Sequence, residues 1–248
     1  MGVPADIRTT LRLSDEELER ELFLMTDWFT DELFAIPGSE AVTVRFPVSR
    51  LVLDPERFLD DSMEAMAARG MGVIYTRTSS GAILRDDPTP IERSDLIGRF
   101  YAPHHAALSD AVDSALKSNG QCLIIDCHSF PTRPLPYEQD QRLERPEICL
   151  GKDAFHTPNW LVEIARNLIC GFGFKVEINR PFSGALVPSK HLGREPSVLA
   201  IMLELKRKIY MNELTGAKLP GFLRVAEALK DTVRRLGQAC SSRMAALH

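Results

Sequence analysis

Cys122-Leu123-Ile124-Ile125-Asp126-Cys127-His128-Ser129 is the stretch on which the fold turns. Its opening residues form a continuous apolar run, the pattern of a strand covered on both faces. Gly120 stops a helical pattern just before it. The Pro- and charge-rich residues 130–147 follow, as expected of a long loop beside the strand's C-terminal end. The reading is a central strand over 122–126. Alternate residues of a strand share a face, so Asp126 and His128 point one way and Cys127 the other. Two readings are open for the pair. One is a metal-binding or basic histidine oriented by a neighbouring carboxylate. The other is a strand end whose Asp caps a loop. A Cys127–His128 nucleophile pair is disfavoured, because neighbours on a strand diverge.

Outward from this strand, helical and strand-like patterns alternate. Ser14 and Glu17 form a capping box that opens an amphipathic helix over 15–34. Short strands are expected at 42–46 and 50–54, a helix at 56–68 ended by Gly70, a β-rich run at 72–76 and a loop at 78–90. Ser94 can cap a long helix over 95–117, with the stripe Leu96, Phe100, His104, Ala107, Ala111 and a kink at Pro103. Pro158 starts a helix running to 170. A strand at 174–178, an apolar run at 198–205 broken by Glu204, a terminal helix at 220–236 and a frayed last ten residues complete the chain. The alternation predicts a single α/β domain over 1–248 with a parallel or mixed sheet.

Composition narrows the function classes. The 248 residues are 44% hydrophobic and 26% charged, with a net charge of −4. There is no basic excess to follow a phosphate backbone, so no nucleic-acid partner is expected. No window approaches the ~18 consecutive apolar residues of a membrane span, and residues 1–10 lack the pattern of a signal peptide. Five Cys without a CxxC pair suggest reduced thiols in a cytoplasmic protein.

Ligands of open α/β sheets bind beyond the carboxyl ends of strands. Asp126 with His128, Asn179 with Arg180, and Glu204 all fall at such ends. Glu204 lies in Val-Leu-Ala-Ile-Met-Leu-Glu-Leu, where a carboxylate needs either an Arg partner or a site that uses a raised pKa. Arg50 and Arg57 bracket Asp54. They suit bidentate capture of a carboxylate, or equally a surface ion pair with Asp54 or Glu56. Asp27, on a helical pattern, reads by itself as a solvated residue. His104 lies on the apolar stripe and defaults to a core histidine. Gly171-Phe-Gly173 lies between a helix and a strand, the reverse of a dinucleotide-binding order, and is set aside.

Several ordered pieces together carry a resemblance. They are Thr26-Asp27-Trp28, Ser49-Arg50-Leu51-Val52-Leu53-Asp54-Pro55-Glu56-Arg57, Ala102-Pro103-His104-His105, Asp126-Cys127-His128-Ser129, Asn179-Arg180-Pro181-Phe182-Ser183-Gly184 and Leu203-Glu204-Leu205. In these the chain resembles the N-formylglutamate amidohydrolase family over nearly its whole length. The resemblance implies a three-layer α/β/α fold with a central mixed sheet, similar to zinc carboxypeptidases and aspartoacylases. It implies a zinc ion, with Asp27 and His128 as ligands and Glu204 as general base. It further implies that Arg57, with Arg50, holds a substrate carboxylate, that Asn179 and Arg180 line the pocket, and that the substrate is a small acyl amino acid.

Two departures shape the expectation. The family's Pro-His-x-Gly motif, which supplies a first His ligand, is not in the chain, and no His precedes His104. The favoured expectation places that motif upstream of Met1. A different group completing the site, or a non-catalytic relative that binds an acidic acyl amino acid, are the alternatives, along with a metal-free His128–Asp126 dyad. The family's Asp-Leu-Asn-Arg is Asp54-Pro55-Glu56-Arg57 here, with an acceptor-only Glu in place of an amide. That widens the expected substrate from N-formylglutamate to other N-acyl amino acids.

Overall fold

The computed structural model describes residues 2–245. In chain order the elements are α1 (Ala5–Arg8), α2 (Asp15–Met25), α3 (Thr30–Leu33), α4 (Pro90–Leu96), α5 (Ala102–Asn119), β1 (Cys122–Phe130), β2 (Ile148–Gly151), α6 (Asn159–Gly171), β3 (Val176–Ile178), β4 (Val198–Lys206) and α7 (Phe222–Ala245). A π-turn at Ile97–Tyr101 joins α4 to α5, and short 3-10 turns occupy Ala67–Arg69 and Arg207–Ile209. Two compact units result. One comprises Met1–Thr26, Val44–Leu108 and Leu135–Gln141; the other comprises Asp27–Thr43, Ser109–Pro134 and Arg142–His248.

The second unit carries the sheet, in the order β1-β4-β2-β3. β1 runs parallel to β4, β2 antiparallel to β4, and β2 parallel to β3, so the sheet is mixed. The expected central strand is longer than read, Cys122–Phe130, and lies at an edge of this sheet. The interior place belongs to β4, whose Val198, Ala200, Ile201, Leu203 and Leu205 are fully buried. An apolar run reports that the faces of a strand are covered. It does not report how many strands flank it in the plane, and β1 from Cys122 to Cys127 is only half-buried. Val112 of α5 packs with Val187, Val198 and Ala200 in one apolar cluster of this unit. The strong apolar stripe of α6, Leu161, Val162, Ala165 and Ile169, is buried. β2 directly follows the segment read as a loop and is not among the expected strands; at four residues it is too short to show a period.

The first unit holds helices, turns and isolated bridges around two apolar clusters. Leu11, Leu18, Met25, Leu51, Met71, Tyr75 and Leu84 belong to one. Ile7, Val52, Leu53, Val73, Leu96 and Tyr101 belong to the other. Here the sequence reading is corrected in several places. Residues 42–46 and 50–54 form no strand; the nearest pairing is a single bridge from Gly2 to Val48. Residues 56–68 are turns, because short acidic side chains capture the backbone before a helix can. Asp54 Oδ1 accepts from the Glu56 N–H, Asp60 Oδ1 from Ser62, and Glu64 Oε1 from Met66. Thr89, with Pro90 behind it and a capping box to Glu92, starts the long helix five residues before Ser94.

Two helix ends also differ. The capping box of Ser14 and Glu17 forms as read, but α2 stops at Met25 and Phe29 adopts a left-handed conformation with φ 61°. The terminal helix continues to Ala245 instead of fraying after 236, and residues 246–248 lie outside those described.

Candidate active site

The second unit assembles the site from the ends of β1 and β4 and the segment before α3. The parallel register pairs His128 with Glu204 and Asp126 with Met202. Side chains at 126 and 128 therefore share a face, with Glu204 as the next-strand neighbour of His128. All are removed from solvent: His128 is 7% exposed and Glu204 8%. Cys149 of β2 faces Glu204 on its other side.

His128 stands between two carboxylates. Its Nε2 is 2.8 Å from Asp126 Oδ1, and its Nδ1 is 3.5 Å from Asp27 Oδ2. Each carboxylate is held by its second oxygen. Asp126 Oδ2 accepts from Leu186 N–H at 2.8 Å. Asp27 Oδ1 accepts from the Ser129 N–H at 2.8 Å and the Ser129 hydroxyl at 3.2 Å. The Tyr210 hydroxyl donates to the carbonyl of Trp28, pinning the turn that presents Asp27. This explains why α2 ends where it does: tertiary hydrogen bonds to Asp27 and Trp28 override the local helical pattern.

The protonation pattern follows from the geometry. Burial alone would raise the Asp126 carboxyl, but the charge and hydrogen bond of His128, with the Leu186 N–H, hold it below the usual carboxylate range. Asp126 is then an acceptor for His128 Nε2, and the other ring nitrogen, Nδ1, is turned toward Asp27. Nδ1 and Asp27 Oδ2 face each other at 3.5 Å. Two ligands of one tetrahedral zinc, each at ~2.0–2.1 Å, lie roughly 3.3 Å apart. The observed separation suits that arrangement, with Asp126 as the carboxylate that orients the ring from the far nitrogen. Burial pushes the Cys127 thiol up to about 12, with the negative charge of Asp126 adding to it, which leaves the sulfur inert.

Asn179 and Arg180 stand elsewhere. They follow β3, three ladder steps and ~14 Å across the sheet from β1. Asn179 is left-handed with φ 55°, and its Oδ1 accepts from Lys152 N–H at 2.7 Å. Arg180 is bound to both oxygens of Glu177 at 2.6 Å and donates to the Glu144 carbonyl.

Arg50 and Arg57 belong to the first unit, grouped around Asp54. Burial would raise the Asp54 carboxyl, but the charges of Arg50 and Arg57 and a hydrogen bond from Tyr75 hold it low. Arg57 Nε lies 3.5 Å from Asp54 Oδ2, and Nη1 lies 3.6 Å from Glu64 Oε1. The sequence reading did not single out Tyr75 or Tyr210, and it gave Ser129 no role of its own. Tyr75 left one signal: a tyrosine within an apolar run must find a partner for its hydroxyl.

A mixed α/β sheet with an imidazole between two carboxylates, and a further carboxylate on the adjoining strand, defines a class: an α/β chain whose site could hold a metal ion. Its family is a narrower matter. Residues 1–211 match the N-formylglutamate amidohydrolase family, and the chain belongs to that family, which supports an amidohydrolase activity. In fold it is similar to the crystal structure of N-formylglutamate amidohydrolase from Ralstonia eutropha JMP134. The TM-score is 0.76 at 24% identity, covering 96% of this chain and 90% of that one. It is also similar to a gene product of Agrobacterium tumefaciens, with TM-score 0.62 at 16% identity, covering 98% of this chain and 86% of that one. No curated protein matches the chain. Among the described residues no helix is long and apolar enough to cross a membrane, and all five cysteines are free.

Proposed function

We propose that this chain hydrolyses the amide bond of an N-formyl or N-acyl amino acid such as N-formylglutamate. Water adds to the acyl carbonyl, the C–N bond breaks, and the amine leaves with a proton. The observation that carries the reading is His128 held between Asp126 and Asp27, with Glu204 beside it in register. Glu204 is proposed as the general base that takes the proton of the attacking water and returns it to the leaving nitrogen. Zinc is the proposed cofactor, held by Asp27 through Oδ2 and His128 through Nδ1. When bound, it lowers the pKa of water to about 7 and polarises the carbonyl. The fold is read as zinc-carboxypeptidase-like, with 1–248 acting as one functional domain in the cytoplasm.

Arg57, with Arg50, is proposed to hold a substrate carboxylate. Arg57 Nε is buried without a hydrogen bond, and the acidic neighbours Asp54 and Glu64 lie 3.5 and 3.6 Å from the guanidinium, loose ion pairs that a substrate carboxylate could compete with. Asn179 and Arg180 are proposed to line the pocket, with the Glu177 pair supporting Arg180.

The test combines metal analysis with two variants. The purified chain is expected to take up about one zinc per chain, as such sites do. Glu204→Gln should keep the zinc and lose hydrolysis of N-formylglutamate by roughly 10²–10⁴-fold. His128→Ala should lose both. Full activity of both folded variants on every hydrolysable acyl amino acid would falsify these roles. Activity that survives strong chelation would sink the zinc assignment.

A further inference from the structure

The segment that carries Arg57 is clamped by groups with no other evident task. Asp54 Oδ1 accepts from the Glu56 N–H at 3.1 Å. His105 Nε2 donates to the Pro55 carbonyl at 2.8 Å, and the Tyr101 hydroxyl to the Arg57 carbonyl at 3.3 Å. The Tyr101 and His105 rings stack at 4.0 Å. The backbone on both sides of Glu56 is therefore fixed.

The guanidinium is fixed differently. Its nearest charges, Asp54 Oδ2 at 3.5 Å and Glu64 Oε1 at 3.6 Å, attract it without hydrogen-bonding it. Its position depends on where Asp54 Oδ2 and the Tyr75 hydroxyl beside it sit. The carboxylate oxygen accepts a 2.5 Å hydrogen bond from that hydroxyl. Tyr75 is fully buried and Asp54 is 1% exposed. The Tyr75 ring packs with Leu51, Met71 and Leu84, a task phenylalanine would do as well. A buried hydroxyl costs free energy unless it is bonded, so its bond to Asp54 accounts for its presence. Burial also pushes the phenol well above its ordinary range, which keeps it a donor.

We propose that Tyr75 is a positioning residue that, through Asp54, holds the Arg57 guanidinium ready for a substrate carboxylate and so sets the preference for acidic acyl amino acids. This rests on the reading of Arg57 given under Proposed function.

The test measures KM and kcat for N-formylglutamate, with calorimetric Kd as a readout independent of turnover. The proteins are wild type, Tyr75→Phe, Arg57→Ala and the double variant, each checked for folding by thermal unfolding. Tyr75→Phe is expected to raise KM and Kd about tenfold, equivalent to about 1.4 kcal/mol, with kcat little changed. In the Arg57→Ala background the same change should add nothing. With N-formylglutamate amidated at either carboxylate, the penalty should vanish for the position Arg57 holds. Tyr101→Phe, which frees only the Arg57 carbonyl, should give a smaller shift of the same kind and serves if Tyr75→Phe does not fold. If Arg57→Ala weakens binding and neither tyrosine variant does, or their penalty persists without Arg57, positioning is overturned and the Arg57 reading stands. If Arg57→Ala itself leaves KM and Kd unchanged, both fall together.

Discussion

His105 performs its task as a neutral ring: Nε2 donates to the Pro55 carbonyl while the face stacks on Tyr101. Burial lowers its pKa below the ordinary 6.5, against the smaller raising effect of the Pro55 hydrogen bond. A folded pKa below the unfolded one means that the unfolded chain binds the proton more readily. The stability from His105 is therefore fully present above pH ~6.5 and is lost as pH falls through the folded value. Urea unfolding at pH 7, 6 and 5 should show this decline, and His105→Gln should flatten it. An unchanged slope in the variant would remove His105 as the cause. Asp54 acts in a separate window: its folded pKa is depressed below 3.8, so its contribution persists above that pH and disappears only in stronger acid. Of these residues the sequence exposed Asp126 and His128 most clearly, because strand alternation alone places them on one face. Asp27 was opaque without the resemblance, since its partners lie more than a hundred positions away.

At the scale of elements, long apolar segments were legible and short polar ones were not. β4, α6 and the helix through α5 announce themselves by period or by continuous burial. β2 does not, and residues 56–68 mislead because helical spacing and a string of Asx turns share a similar composition. The one-residue fit between strands makes a sharp prediction at Gly151. A Cβ there would meet Met202 Cβ at 2.8 Å and would collide with the Gly184 carbonyl oxygen and Met202 Cε. Gly151→Ala should destabilise the sheet by roughly 1–3 kcal/mol, as overpacking of a filled core does. The measurement is a denaturant midpoint at constant m-value. A midpoint equal to wild type would show that β2 and β4 can separate freely. Because Gly151 pairs with Met202, two positions from Glu204, the variant should also lower activity more than a surface glycine change would.

Across the whole molecule, the site draws on positions far apart in the chain. Asp27 and His128 are separated by 101 residues, and Glu204 lies on a third segment. An ion shared by Asp27 and His128 would tie the beginning of the second unit to its sheet, so its binding energy becomes folding energy. At zinc about a hundredfold above Kd, the native state should gain about 2.7 kcal/mol. Differential scanning calorimetry should record a rise in the melting midpoint with zinc and its reversal with a chelator. Asp27→Asn should abolish the rise. A zinc-induced shift that survives in that variant would place the ion elsewhere. The α/β class could be read from alternation alone, but sheet order could not, because a strand's sequence names its faces and not its neighbours.

The π-turn at Ile97–Tyr101 has a consequence for helical phase. A π-turn is an α-helix with one residue too many, and each α-helical residue advances the direction of the next by about 100°. Everything after the turn is rotated by that angle relative to an uninterrupted helix that begins at Thr89. Tyr101 and His105, one turn apart, therefore aim at the carbonyls of Arg57 and Pro55 only because of the surplus residue. Excising a single position from 97–100 would restore an ordinary helix and swing both rings away from that loop. The irregularity thus works as a vernier: it sets the bearing of two donors to suit a loop whose own sequence has no regular structure to aim with.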